Sequence, residues 1–162
     1  MQTITVAIAG RQAAGLLTCK RLLQQEPDTE VVGQAATCME VVATVRKFKP
    51  RVLVCSFEMC TDTDYPLLLE LRRECPATRV VLLADDLTEE DQLMHALAIG
   101  ARGYLGHDEI QLHLVRAVRG VDHGETWVPR KMLGKMVELA LWSSMNLPAL
   151  LRPFRRRDRC TR

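Results

Sequence analysis

Five times along this chain, a short run of apolar, β-branched residues is followed by a stretch whose apolar residues recur at helical spacing. That alternation decides what the chain can fold into. Residues 3–9 (TITVAIA), 30–36 (EVVGQAA), 51–56 (RVLVCS), 79–84 (RVVLLA) and 103–105 (GYL) have strand character. Residues 11–25, 39–48, 65–74, 89–99 and 109–121 have helical period, and 130–141 form a sixth such stretch. The punctuation agrees. Pro27 and Pro50 close the first two helices, and Pro66 suits a first turn, where its missing N–H costs nothing. Thr88 suits an N-cap, and Gly100 suits the position just past a last turn. Strand-then-helix units in this order predict an α/β fold, a doubly wound parallel sheet with helices on both faces. Near-continuous apolar strands fit it, because parallel strands are covered on both sides. In such sheets functional groups gather beyond the carboxyl ends of the strands, near the switch in strand order. Sequence order alone then selects Gly10 and Arg11, Ser56 to Glu58, Ala84 to Asp86, and Gly106 and His107.

The chain has 162 residues, enough for one domain with a real core. Its net charge of +2 is unevenly spread: residues 152–162 carry six Arg (Arg152, Arg155, Arg156, Arg157, Arg159 and Arg162) against the single acid Asp158. That segment is +5 and the rest of the chain −3. The apolar runs are far shorter than the ~18 residues a membrane span needs, so no membrane partner is expected. The opening MQTITVAIAG lacks a basic leader, which argues against a signal peptide and for a cytoplasmic location. Six Cys scattered among apolar residues read as reduced, hydrophobe-like thiols and not as a disulfide framework.

EPDTEVVGQAAT, RKFKPRVLVCS, LRRECPATRVVLLA, ALAIGARGYLGHDE and VRAVRGVDHGETWVP follow one another in this chain. Their order and spacing resemble a response-regulator receiver domain of the NarL type, a CheY-like fold, over roughly residues 3–138. GARGY followed by Gly124-Glu125-Thr126-Trp127 is the most specific part. The resemblance implies five strands in the order 2-1-3-4-5, with an extra helix beyond. The expected organisation is a receiver-like domain over 1–127, a helix over 128–142 and a basic, unstructured tail over 143–162.

In that family two acids after the first strand and an Asp after the third hold Mg²⁺ through oxygens. The Asp accepts a phosphoryl group from a histidine kinase, and a hydroxyl and a Lys stabilise the added charge. Carried onto this chain, the acid pair falls on Gly10 and Arg11, the acceptor on Ser56, the hydroxyl on Ala84 and the Lys on His107. Only the aromatic three residues before the Lys position survives, as Tyr104. The resemblance therefore implies the framework without the chemistry: no Asp phosphorylation, no metal, no cofactor, no catalysis.

Each of these residues admits a plainer reading. Arg11 is either a surface residue at a helix start or a permanent cation in the metal's place, paired with Asp85 or Asp86. Ser56 is either a small strand-end residue or the target of a separate Ser kinase, since a hydroxyl is not activated without a base. His107 is either solvent-facing or pH-responsive. Cys55 and Cys60 flank the altered site, but no further Cys or His stands at ligand spacing. Receiver domains of this family commonly continue into a DNA-binding helix-turn-helix, for which residues 141–162 are too short. The Arg run is a solvated tail, a salt-sensitive contact to nucleic acid, or the remnant of a longer DNA-binding regulator.

Two functional classes follow. One is a phosphorylation-independent regulator acting through a partner protein or a second copy. It would use the fourth and fifth helices (Leu93, Ala96, Leu97, Leu112, Val115, Arg116) or the apolar face of the last helix (Met132, Leu133, Met136, Val137, Leu141). The other is an anion or small-ligand module, with Arg11 and His107 at the edge of the altered pocket.

Overall fold

A computed structural model describes residues 2–62 and 64–145. The chain divides into a unit ending at Val128 and a second beginning at Pro129. The first unit is an all-parallel sheet of β1 (Ile4–Ala9), β2 (Thr29–Ala35), β3 (Val52–Ser56), β4 (Arg79–Ala84) and β5 (Gly103–Gly106). The strand order is β2-β1-β3-β4-β5. The intervening helices are α1 (Ala13–Gln24), α2 (Cys38–Phe48), α3 (Pro66–Glu74), α4 (Glu90–Ile99) and α5 (Ile110–Asp122). The second unit carries α6, Arg130–Met145, four residues longer than the sequence pattern indicates; residues 146–162, most of the expected tail, lie outside the described residues. Among the described residues no helix is long and apolar enough to cross a membrane.

The sheet is covered on both faces because its strands are apolar at nearly every position. Val6, Ile8, Val52, Val54, Val81 and Leu83 face one side and pack with Leu23 of α1 and Leu114, Val118 and Val121 of α5. Alternation sends Ala7, Leu53, Cys55, Val80 and Leu82 to the other side, where α2, α3 and α4 bring their buried Val41, Val45, Leu68, Leu71 and Leu93. Each such Val or Leu contributes about 1.5–3 kcal/mol by leaving water. At the amino end of the sheet, Arg51 binds the Asp122 carboxylate (Nε–Oδ1 2.7 Å) and Arg79 donates to the Asp122 carbonyl, tying the starts of β3 and β4 to the end of α5.

The helix starts follow local chemistry. Thr37 caps α2 by accepting from the Glu40 N–H, and Glu40 returns by accepting from the Ala36 N–H. At α4 the sequence expectation needs correction. The cap position is Glu89, whose N–H donates to Gln92 Oε1 (3.3 Å), while the Thr88 hydroxyl donates back to Asp85 Oδ1 (2.9 Å). With its hydroxyl committed to the β4–α4 loop, Thr88 stands one residue before the cap, and the acids Glu90 and Asp91 in the first turn meet the positive end of the helix.

The edge at β5 is closed by the GETW segment. Trp127 donates its N–H to the Arg102 carbonyl and accepts from the Tyr104 N–H (both 3.0 Å), bridging to Gly103 as a one-residue parallel strand. A Cβ on Gly103 would lie 2.5 Å from the Trp127 carbonyl oxygen. That contact is why Gly of GARGY and Trp of GETW belong together. The ring rests near His113 and Arg116 of α5, and Gly124, at φ +93°, turns the chain into this path.

Candidate functional site

Parallel register brings the strand ends level. Ala9 pairs with Cys55, Ser56 with Leu83 and Ala84 with Gly106. The residues that follow converge on a cleft of about 350 Å³ at the carboxyl end of the sheet. Gly10, Ser56 and His107 all line it, and a Cβ on Gly10 would lie 3.4 Å from Ser56 Cβ. Three positions that stand far apart in sequence thus share one site. Ala84 is buried in β4 and Tyr104 is half-buried in β5, and neither lines the cleft. Burial, then the negative charges of Glu109 and Glu90, push the Tyr104 phenol above its usual range.

The charge pair weighed between Arg11 and Asp85 or Asp86 is not formed. Arg11 is exposed, and it is its backbone N–H that is engaged, donating to Glu58 Oε1 (3.3 Å). Asp85 spends Oδ1 on its own loop, accepting from the Leu87 N–H (3.0 Å) and from Thr88. One oxygen of that carboxylate is thus taken up by an amide and a hydroxyl two and three residues on, at less entropic cost than by a long Arg reaching across from another loop.

Besides Gly10, Ser56 and His107, sequence order reached Phe57, Glu58 and Asp85 as strand-end residues but missed the rest of the lining. Gln12, Leu16 and Cys19 come from the start of α1, Thr61 follows a 3₁₀ turn at Phe57–Cys60, and Leu87, Thr88 and Gln92 come from the β4–α4 segment. Burial pushes the Cys19 thiol up to about 11, so it lines the cleft as an apolar group. The available signal was position, within a turn or two after a strand that had already been identified. Cys55 and Cys60 are both buried beneath the site; their mutual hydrogen bond, then burial, raise the Cys55 thiol. Among the described residues no group of Cys, His, Asp or Glu is arranged to hold a metal ion.

The interface expected on the fourth helix also changes. Leu93, Ala96 and Leu97 point into the core, whereas Leu112 and Arg116 of α5 are exposed. The periodicity of α4 serves the sheet, because a helix covering a parallel sheet must bury its apolar stripe there.

A five-stranded parallel sheet in the order 2-1-3-4-5, with its site at the carboxyl ends of β1, β3 and β5, is the fold of the response-regulator receiver domain. Solved structures bear this out. The receiver domain of RcsB from Salmonella enterica serovar Typhimurium in its apo form covers 84% of this chain and 99% of its own, with TM-score 0.74 at 19% identity. A LuxR-family two-component response regulator from Aurantimonas covers 86% of this chain and 99% of its own, with TM-score 0.74 at 18% identity. In sequence, the oxygen regulatory protein NreC of Staphylococcus epidermidis is 29% identical over 133 residues, 82% of this chain. NreC of Staphylococcus aureus matches to the same extent. The chain spans about three-fifths of the length of these relatives, 61%. No family model matches it. The chain has the fold of a response-regulator receiver domain; in sequence it is similar to the oxygen regulatory protein NreC, and in fold to the receiver domains of NarL and RcsB.

Proposed function

We propose that this chain is an atypical receiver, acting in two-component-type signal transduction or transcription control through protein contacts that do not depend on Asp phosphorylation. The carrying observation is the identity of the residues at the strand ends. The acceptor position at the end of β3 is Ser56, and the pair after β1 is Gly10 and Arg11. A Ser hydroxyl does not take a phosphoryl group from a phosphohistidine or an acyl phosphate without an activating base. An Arg in place of a metal-holding acid repels Mg²⁺. The protein is then a signalling module of the cytoplasm and not an enzyme. Partners or a second copy would engage the exposed side of α5, around Leu112, or the exposed Leu133, Val137 and Leu141 of α6. A longer DNA-binding regulator of which this is the receiver portion would use the same domain in the same way.

The test is intact-mass measurement after incubation with acetyl phosphate and Mg²⁺. No phosphoryl adduct is expected. A stoichiometric acyl phosphate on Asp85, Asp86 or any other carboxylate of the cleft would overturn the reading.

A further inference from the structure

The cleft that replaces the phosphorylation site has a charge opposite to what an anion needs. The segments after β3, β4 and β5 (residues 57–65, 85–91 and 107–109) hold three, five and two carboxylates respectively, and no Lys or Arg. Arg11, after β1, is the one guanidinium nearby in these strand-end segments, and its side chain is not part of the cleft lining. Carboxylates at helix starts answer to the helix dipole, and Glu90 and Asp91 in the first turn of α4 are of that kind. The cleft itself shows more than that.

Two carboxylates line it, Glu58 and Asp85. Each uses one oxygen within the protein. Glu58 Oε2 and Asp85 Oδ2 make no hydrogen bond or ion pair with the described residues. The lining is otherwise mixed: Gln12, Ser56, Thr61 and His107 are polar, while Leu16, Leu83 and Ile110 give it apolar surface, with Leu87 at 89% exposure. A leucine held out in water, inside a loop otherwise rich in acids, has no role in the core.

We propose that this cleft receives an arginine side chain from a basic peptide segment of a partner protein. The proposal rests on the reading that the site no longer takes a phosphoryl group, and it names the chemistry of the partner. Arginine suits each part of the cleft. Its three methylenes lie along apolar surface, where Leu16 and Leu87 provide it. Its planar fork donates to two carboxylate oxygens at once. The summed field of the surrounding acids raises the local concentration of a cationic segment and repels phosphate.

The experiment uses the full chain and a fluorescein-labelled nonapeptide of alternating Ala and Arg, read by anisotropy at low and physiological salt. The comparison peptide carries citrulline at each Arg, which keeps the shape and removes the charge. Glu58→Gln with Asp85→Asn neutralises the cleft while leaving the carbonyl acceptors that hold both turns; Asp86→Asn with Asp91→Asn removes the same charge outside it. Binding of the Arg peptide, loss of about tenfold or more in affinity for the cleft pair, and a several-fold smaller loss for the outer pair are the expected results. Equal losses for the two pairs would show a diffuse field and no cleft site. Equal binding of the citrulline peptide, no binding of the Arg peptide, or thermal stabilisation by inorganic phosphate would each overturn the proposal. The acyl-phosphate mass measurement is independent of all these arms, so failure here and failure of the atypical-receiver reading are told apart.

Discussion

Replacing Gly103 with Ala should open the β5 edge, and the cost can be worked from the geometry. The added Cβ would sit 2.5 Å from the Trp127 carbonyl oxygen and 2.8 Å from Trp127 Cβ, distances that backbone atoms do not tolerate. The bridging segment has to move, and two backbone hydrogen bonds go with it, Trp127 N–H to Arg102 and Tyr104 N–H to Trp127. At about 0.5–1.5 kcal/mol net each, the loss is about 1–3 kcal/mol. The reduced freedom of the unfolded chain returns at most about 0.4–1 kcal/mol. For a unit of this size, about 4 °C in Tm per kcal/mol is a fair conversion, so the melting temperature should fall, by up to about 10 °C. Hydrogen exchange at the Tyr104 amide should lose its protection at the same time. Gly120→Ala is the internal control. Its Cβ meets only the end of the flexible Glu125 side chain at 3.0 Å and the Trp127 ring at 3.6 Å. A helix-interior Gly to Ala change is worth about 0.5–1 kcal/mol in stability, so this variant should melt at or above the parent temperature. A Gly103→Ala protein with parental Tm and a still-protected Tyr104 amide would refute the argument that the Trp127 approach is what requires glycine.

Val54, fully buried between Ile8 and Val81 in the central strand, should not accept Asp: an unpaired carboxylate there costs several kcal/mol, and circular dichroism should show an unfolded chain. Asp28 is held below the usual carboxylate range by its hydrogen bonds from Arg119. Its contribution is complete above the unfolded carboxylate range and is lost as pH falls through the folded value, so Asp28→Asn should flatten the acid limb of a plot of Tm against pH below about 4. Iodoacetamide at mild pH should label the half-exposed Cys38 and Cys75 well before the buried Cys19 and Cys55, whose thiols are held protonated; peptide mapping in which Cys55 reacts first would contradict the packing around β3.

The sheet and its helices were legible because they follow from local period. Runs such as RVVLLA bury both faces whatever lies beside them, and Pro27, Pro50 and Pro66 mark boundaries through backbone geometry alone. The convergence of Gly10, Ser56 and His107 was legible for a related reason: in a parallel sheet every carboxyl end lies on the same side, so strand order alone places them together. Other features depended on partners distant in sequence. Leu93 and Leu97 look identical in sequence to a docking stripe, and only the sheet beneath α4 makes them core. Arg11 has the charge to pair with Asp85, yet the Leu87 amide and the Thr88 hydroxyl reach an oxygen of that carboxylate first. The distance between Gly103 and Trp127 exists only once the chain has turned at Gly124 and come back along β5. Periodicity is carried by each segment alone, so the sequence by itself determined the architecture. Which side chains share a cleft, and which atoms in it keep a free lone pair, depends on how separate loops meet, and that only the tertiary structure decided.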